Sequence, residues 1–225
     1  MRSSDAFQKD CESIGFVIFM PDKNLLLADL EQSYAAARRL SARSLASQIE
    51  RIGFQCLGCG QCCRGDDNSV VVFPFEVRRI MEKKELDWLE VAQPPEEGEW
   101  DNNGNFHTLE WRLKKEGLRC RFYDEGQCTI YGQRPLLCRT YPFYLVEGEL
   151  RCSECPGLGM RINEDAAQEI AWQLILRHIT EIVEAIALTK KYQDFQRGGC
   201  KEGNCCIIHD SEGEHKIPLF TAPRS

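Results

Sequence analysis

The longest regular pattern in the chain is an apolar stripe between positions 164 and 191. Ala167, Ile170, Ala171, Leu174, Ile175, Ile179, Ile182 and Ile186 recur at three- and four-residue intervals, the spacing of one helical face. Asn163 stands at the N-cap position, Glu164 and Asp165 fill the first turn, and Lys190 and Lys191 the last, so the charges complement the helix dipole. His178 falls on the stripe and reads as a packed core histidine. A second helix is expected over about 29–52. Leu30, Tyr34, Ala37, Leu45, Ile49 and Ile52 share a face, Asp29 and Gln32 resemble a capping box, and Gly53 offers a C-cap. Arg38, Arg39, Arg43 and Arg51 fall mostly off that face and read as solvated. Pro74 suits the first turn of a shorter helix over 74–84.

Elsewhere the period drops to two or vanishes. Ile14–Met20 and Ser69–Phe73 are short apolar, β-branched runs of strand type, and His107, Leu109, Trp111 and Leu113 alternate with polar neighbours as a half-buried strand does. Turns at Asp124-Glu125-Gly126 and Glu147-Gly148-Glu149 each join two short arms into a hairpin. Residues 93–105 are rich in Pro, Gly and Asn and read as loop. The pattern implies an α+β fold, with small strands, hairpins and cysteine-bearing loops packed against two long helices, about 29–52 and 164–191. Four divisions follow: an N-terminal strand and helix (1–53), a cysteine-rich core (54–160), a C-terminal helix packing on it (161–197) and a Cys/His-containing tail (198–225).

Composition narrows the partners. The 225 residues carry a net charge of −7, which argues against a general nucleic-acid binder. The run Ile14–Met20 is too short to span a bilayer and wrongly flanked for a signal peptide, so no membrane insertion and a cytoplasmic location are expected. Thirteen cysteines, an odd number, in a reducing compartment read as metal-binding or redox-active rather than as a disulfide framework.

Four of those cysteines fall within eight residues. Cys56, Cys59 and Cys62 repeat a two-residue gap, a spacing that lets successive thiolates converge on one zinc or iron–sulfur centre. Cys63 follows at once, and adjacent side chains in extended chain point apart, so Cys62 and Cys63 suit two centres or a bridge between them better than equivalent places on one ion. Further ligands are available at Cys120, Cys128 and Cys138 and in the Cys152-x2-Cys155-Pro156 pair. Nine cysteines against two four-ligand centres leave one over. Arg134 and Arg139 bracket Cys138 and are candidates to offset the negative charge of a thiolate cluster, with salt bridges to carboxylates as the alternative. Tyr131, Tyr141, Phe143 and Tyr144 either shield the site from water or form plain core. In the tail, Cys200, Cys205 and Cys206 with His209 and His215 make a third site, supply missing ligands, or form a loose reduced segment. Cys11 stands alone and reads as a small buried residue.

The run Cys56-x2-Cys59-x2-Cys62-Cys63, followed by Cys120-x7-Cys128 and Gln133-Arg134-Pro135-Leu136-Leu137-Cys138, resembles the CxxCxxCC cysteine-cluster family, often called YkgJ-like and described as zinc- or iron-chelating. The resemblance spans about 54–160. It implies metal binding at Cys56, Cys59, Cys62, Cys63, Cys120, Cys128 and Cys138, with an eighth ligand at Cys152 or Cys155. Some relatives are flagellin lysine methylases, but no glycine-rich nucleotide-binding turn follows a strand here, so methyl transfer is not supported.

Three functions fit. The first is one or two cysteine-ligated iron–sulfur centres, of [4Fe–4S] type, for electron transfer or service to a partner protein complex or redox partner. The second is a structural zinc module acting as a protein-interaction adaptor. The third, a metal-dependent enzyme of unknown reaction, has least support: no nucleophile motif, paired carboxylates or phosphate loop is present, His107 and His178 occur singly, and no catalytic residue is assigned.

Overall fold

The computed structural model describes residues 22–65, 68–198 and 205–218. The strand expected at Ile14–Met20, and Cys11 and Cys200, lie outside them. Two hydrophobic cores organise the rest. The first is helical: α1 (Lys23–Ala37) and α2 (Ala42–Ile52) precede α3 (Pro74–Lys84), α4 (Trp88–Val91) and α5 (Leu136–Thr140), and both lie against α6 (Glu164–Lys191). Leu45 and Ile49 of α2 meet Ala167, Ala171, Leu174 and Ile175 of α6, with Phe143 wedged beside them. The Asn163 side chain accepts from the Ala166 amide at 2.7 Å and caps α6 where the sequence implies.

The expected 29–52 helix is two helices. α1 starts earlier, at Lys23, because the Asp22 carboxylate accepts from the Asn24 amide at 2.9 Å. The chain then breaks at 38–41, where the Ser41 hydroxyl accepts from the Ser44 amide at 3.2 Å and starts α2 afresh. A serine cap competes well with helix continuation. The break also frees each short helix to aim its own apolar face at α6.

The second core is built on small sheets. β1 (Val71–Val72), β2 (Ala92–Gln93), β3 (Glu99–Trp100), β4 (Phe106–Leu109) and β5 (Trp111–Leu113) are followed by three hairpins. These are β6 (Lys115–Glu116) with β7 (Arg119–Cys120), β8 (Tyr123–Asp124) with β9 (Gln127–Cys128), and β10 (Phe143–Val146) with β11 (Glu149–Cys152). β1, β5 and β2 form one antiparallel sheet in that order. The single strand expected over 107–113 is β4 and β5, broken at Glu110, whose φ of 60° turns the chain from one sheet into another. The two turns expected at 124–126 and 147–149 are present, with positive φ at Glu125 and Gly126 and at Glu147 and Gly148, the twist that two-residue hairpins favour.

The tail departs most from expectation. Instead of a loose segment, β12 (Cys205–Asp210) and β13 (Gly213–Pro218) complete a four-stranded sheet of order β13-β12-β4-β3, with β12 parallel to β4. The run Cys205–Ile208 is short but apolar enough to enter the interior, and Cys206 and Ile208 join Val77, Ile80, Trp111 and Phe122 in the second core. Nearby glycines hide that run from a reading by composition. His178, expected in the core, is half-buried on α6, and partial burial lowers its pKa. Among the described residues no helix is long and apolar enough to cross a membrane.

Candidate metal centre

The cysteine site occupies the seam between the two cores. Phe54 packs on the helical core and Cys63 on the sheet core, so the run 56–63 crosses from one to the other. At its start the backbone is stitched to a segment a hundred residues on. The Gln55 amide donates to the Gly157 carbonyl at 3.0 Å, the Gly159 amide to Gly53 at 3.0 Å, and Phe54 bridges Leu158. This pairing sets Cys155 beside Cys56. It also requires glycine at 157, where a Cβ would overlap the Gln55 carbonyl oxygen. Gly157→Ala is therefore expected to part the two strands and to loosen the Cys155 end of the site first. Alkylation of Cys155 by iodoacetamide, read by peptide mass spectrometry, should accelerate severalfold while that of the buried Cys120 stays slow.

Beyond Cys56 the chain curls. Gly58 and Gly60 take left-handed φ of 64° and 69°, and the Tyr123 ring fills the space a side chain at Gly60 would need. A 3₁₀ turn, Gln61–Cys63, then brings the Cys62 and Cys63 sulfurs within 3.9 Å. Arg64 ties the run down by donating to the Cys59 carbonyl at 2.8 Å, and the Gly65 amide donates to Leu118 at 2.8 Å. Leu118 lies in the turn before Cys120. Cys120 stands on β7, and Cys128 on β9 opposite Tyr123. Cys138 comes from α5, which begins after Pro135 and packs against α6.

Cys56, Cys62, Cys63, Cys120, Cys128 and Cys138 line one cavity of about 560 Å³, walled by Tyr123, Tyr131, Tyr141, Ile130 and Leu137. Cys155 borders an adjoining hollow with Gln61 and Pro156. Cys59 is exposed. Cys152 is exposed on β11 opposite Phe143 and faces neither space. Cys205 bonds Asn105 at 3.0 Å while its neighbour Cys206 is buried among apolar side chains, so the two are not brought to the cavity.

The electrostatics divide the thiols into two ends. Burial and the neighbouring Cys128 and Cys62 push Cys120 up to about 11, and burial together with Cys120, Cys62 and Cys128 pushes Cys138 higher still. At the outer end burial raises Cys155, and the thiols that repel it are Cys59, Cys62 and Cys56. Cys62 faces both ends. Its contact with Cys63, against the cost of burial and with help from its own backbone and Arg134, lowers it to about 6. Cys63, bonded to that ionised neighbour and partly buried, is driven upward. Raised thiols crowded together are what a cationic centre would deprotonate, because its charge reverses the mutual repulsion.

The two arginines have different roles. Arg134 lines the cavity, stacks on Tyr131 at 3.7 Å, and places its positive charge where it favours ionised Cys62, Cys128 and Cys138. Arg139 does not reach the thiols. Its Nε donates to the Arg134 carbonyl at 2.6 Å and its Nη2 to Gly132 at 3.4 Å, so it braces the turn that carries Arg134. Of the aromatic residues singled out from sequence, Tyr131 and Tyr141 wall the cavity, whereas Phe143 belongs to the helical core. Tyr123 is a wall residue that periodicity does not reveal; its signal is the glycine at 60.

Every cysteine among the described residues is a free thiol. Among the same residues, no three His, Cys, Asp or Glu side chains are placed to grip a single metal ion. A tetrahedral four-thiolate zinc site, with Zn–S near 2.3 Å, needs its sulfurs only about 3.8 Å apart. The Cys62–Cys63 pair meets that spacing, and the thiols of the other cavity walls stand around it without closing to a point. The donor set is all thiolate, with an apolar wall and one arginine, which fits a metal centre of zinc or iron type. Residues 55–156 match the family model CxxCxxCC, described as "Putative zinc- or iron-chelating domain". No solved structure matches the chain.

Proposed function

From the premise that residues 55–156 are a CxxCxxCC domain of the zinc- or iron-chelating family, we propose that the cavity holds iron–sulfur centres for electron transfer or for service to a partner protein. The observation that carries the proposal is the donor set. Six cysteines and no histidine line one cavity, more thiolates than one four-coordinate zinc ion takes, and thiolate ligation is what holds iron–sulfur clusters.

Cys63, Cys120, Cys128 and Cys138 would hold the inner centre and Cys56, Cys59 and Cys155 the outer one, with Cys62 completing the outer centre and bridging it to the inner, and Cys152 the cysteine left over. Such centres supply one-electron transfer. The chain's own residues set the conditions for it: the tyrosines and Ile130 limit water, and Arg134 offsets the excess negative charge. Electron transfer needs a partner, and the exposed outer cysteines are the side from which one would approach. Protein purified without oxygen is expected to be brown, with iron and acid-labile sulfide in near-equal amounts. A colourless protein with stoichiometric zinc and no sulfide would overturn the proposal in favour of a structural zinc module.

A further inference from the structure

A second polar constellation lies in the four-stranded sheet. His107 on β4 and His209 on β12 bond directly, Nδ1 to Nε2 at 2.9 Å, and Nε2 of His107 faces Asp101 Oδ2 at 3.3 Å. Phe195 stacks on His107 at 3.7 Å and Tyr192 leans on His209 at 4.9 Å. The histidines are only 4% and 2% exposed, so no substrate reaches them, and their ring nitrogens face each other rather than a shared ion. Catalysis and metal binding are thereby set aside.

The proton positions follow from the chain of bonds. Although burial opposes its ionisation, bonds from Asn105, His107 and Asn103 hold the Asp101 carboxyl well below its ordinary range. An ionised Asp101 requires Nε2–H on His107. Neutral His107 then accepts from Nε2–H of His209, and Nδ1 of His209 is left as a bare lone pair without a hydrogen-bond partner. A proton on that nitrogen would create a buried cation whose nearest carboxylate oxygen, on Glu214, is 3.9 Å away. A proton on the bridging nitrogen of His107 would set two N–H donors against each other at 2.9 Å. Both places exclude it.

We propose that this pair is a proton-sensitive latch, which docks the β12–β13 hairpin on β4 while Nδ1 of His209 carries no proton and releases it on acidification. The groups that face the pair come from every neighbouring element. Asp210 on β12, Glu214 on β13 and Tyr192 beyond α6 surround His209. Asp101, with Glu99 opposite on β3 and its partner Arg197, surrounds His107. Burial and the adjacent His107 outweigh Glu214 and Asp210 and lower His209 to about 4. A released histidine titrates near its ordinary value of about 6.5, so the docked form binds fewer protons and loses ground as pH falls from about 6.5 to 4. Between pH 7 and pH 5 the docked-to-released ratio should drop roughly twentyfold.

Amide hydrogen exchange of the full chain as purified, corrected for the intrinsic rate at each pH, tests the latch. Protection of the β12 amides from Cys206 to His209 is expected to fall at least tenfold from pH 7 to pH 5, while that of Leu174 and Ile175 in α6 stays constant. In His209→Gln, which keeps an N–H for His107 but takes up no proton, the β12 protection should be flat. Unchanged wild-type protection, an equal fall in α6, or an equal fall in H209Q would each overturn the latch. The wild-type measurement alone decides if the variant does not fold, and none of these outcomes depends on which metal the cysteines hold.

Discussion

Replacing Cys62 with serine is expected to strip the protein of nearly all its metal. Cys62 faces the thiols at both ends of the site: it is a charged neighbour of Cys120, Cys128 and Cys138 on the inner side and of Cys155 on the outer. Its contact with Cys63 lowers it to about 6, which favours the thiolate that captures an incoming cation. Serine is a hard, weakly acidic ligand that does not replace a soft thiolate. Iron or zinc per chain, measured by plasma emission spectrometry, should fall to less than about a tenth of wild type in Cys62→Ser. Cys155→Ser should keep roughly half if two centres are present, because only the outer end loses a ligand. Cys152→Ser, outside both hollows, should be indistinguishable from wild type. Full metal content in Cys62→Ser would show that the ligand set is wrong.

The second large effect is expected at a residue that touches no thiol. Glu76 is 1% exposed, and its two carboxylate oxygens accept from different segments, one from the Phe73 amide at 3.1 Å and the other from the Leu136 amide at 2.7 Å. It thereby caps α3 and pins the first residue of α5, the helix that carries Cys138. Burial raises its pKa, against those two bonds and the charges of Arg79 and Arg139. Glu76→Ala leaves two buried N–H groups without partners, at a cost of about 2–4 kcal/mol. Glu76→Gln is no rescue, because one of its two positions then presents an NH₂ to an N–H donor. Both variants should melt roughly 5–10 °C below wild type in calorimetry. Exposure of Cys138 to thiol reagents should rise well before the midpoint, since α5 is the segment released. A midpoint within a degree of wild type would mean that the carboxylate contributes nothing to holding α5.

Much of this was legible in the chain, for physical reasons that differ by element. The 28-residue α6 announces itself because an uninterrupted stripe, a cap and matched end charges all agree. Pro74 and the hairpin turns are fixed by local backbone chemistry, so the bounds of α3 and the turns at 124–126 and 147–149 could be read directly. Of the nine cysteines singled out by spacing, Cys56, Cys62, Cys63, Cys120, Cys128 and Cys138 line one cavity, whereas Cys59, Cys152 and Cys155 do not. Three things were hidden. The break between α1 and α2 turns on one hydroxyl, that of Ser41. The burial of β12 depends on β4, a strand about a hundred residues earlier, and parallel pairing leaves no local mark. For the same reason His107 looks solitary in sequence and His209 reads as part of a Cys/His tract, and the two meet only once the sheet forms.

One feature of the backbone bears on how such a protein arises. Gln55 and Gly157 are hydrogen-bonded to each other, and the stretch they bracket coincides with the family match at 55–156. The cysteine domain therefore begins and ends at the same point in space, and the helices on either side of it, α2 and α6, pack together as though nothing stood between them. A segment with adjacent ends can be spliced into a host without displacing what flanks it. In that light the helical pair is the socket and the thiol-bearing stretch a cassette. A change of length inside the cassette would leave the register of the helices that hold it untouched.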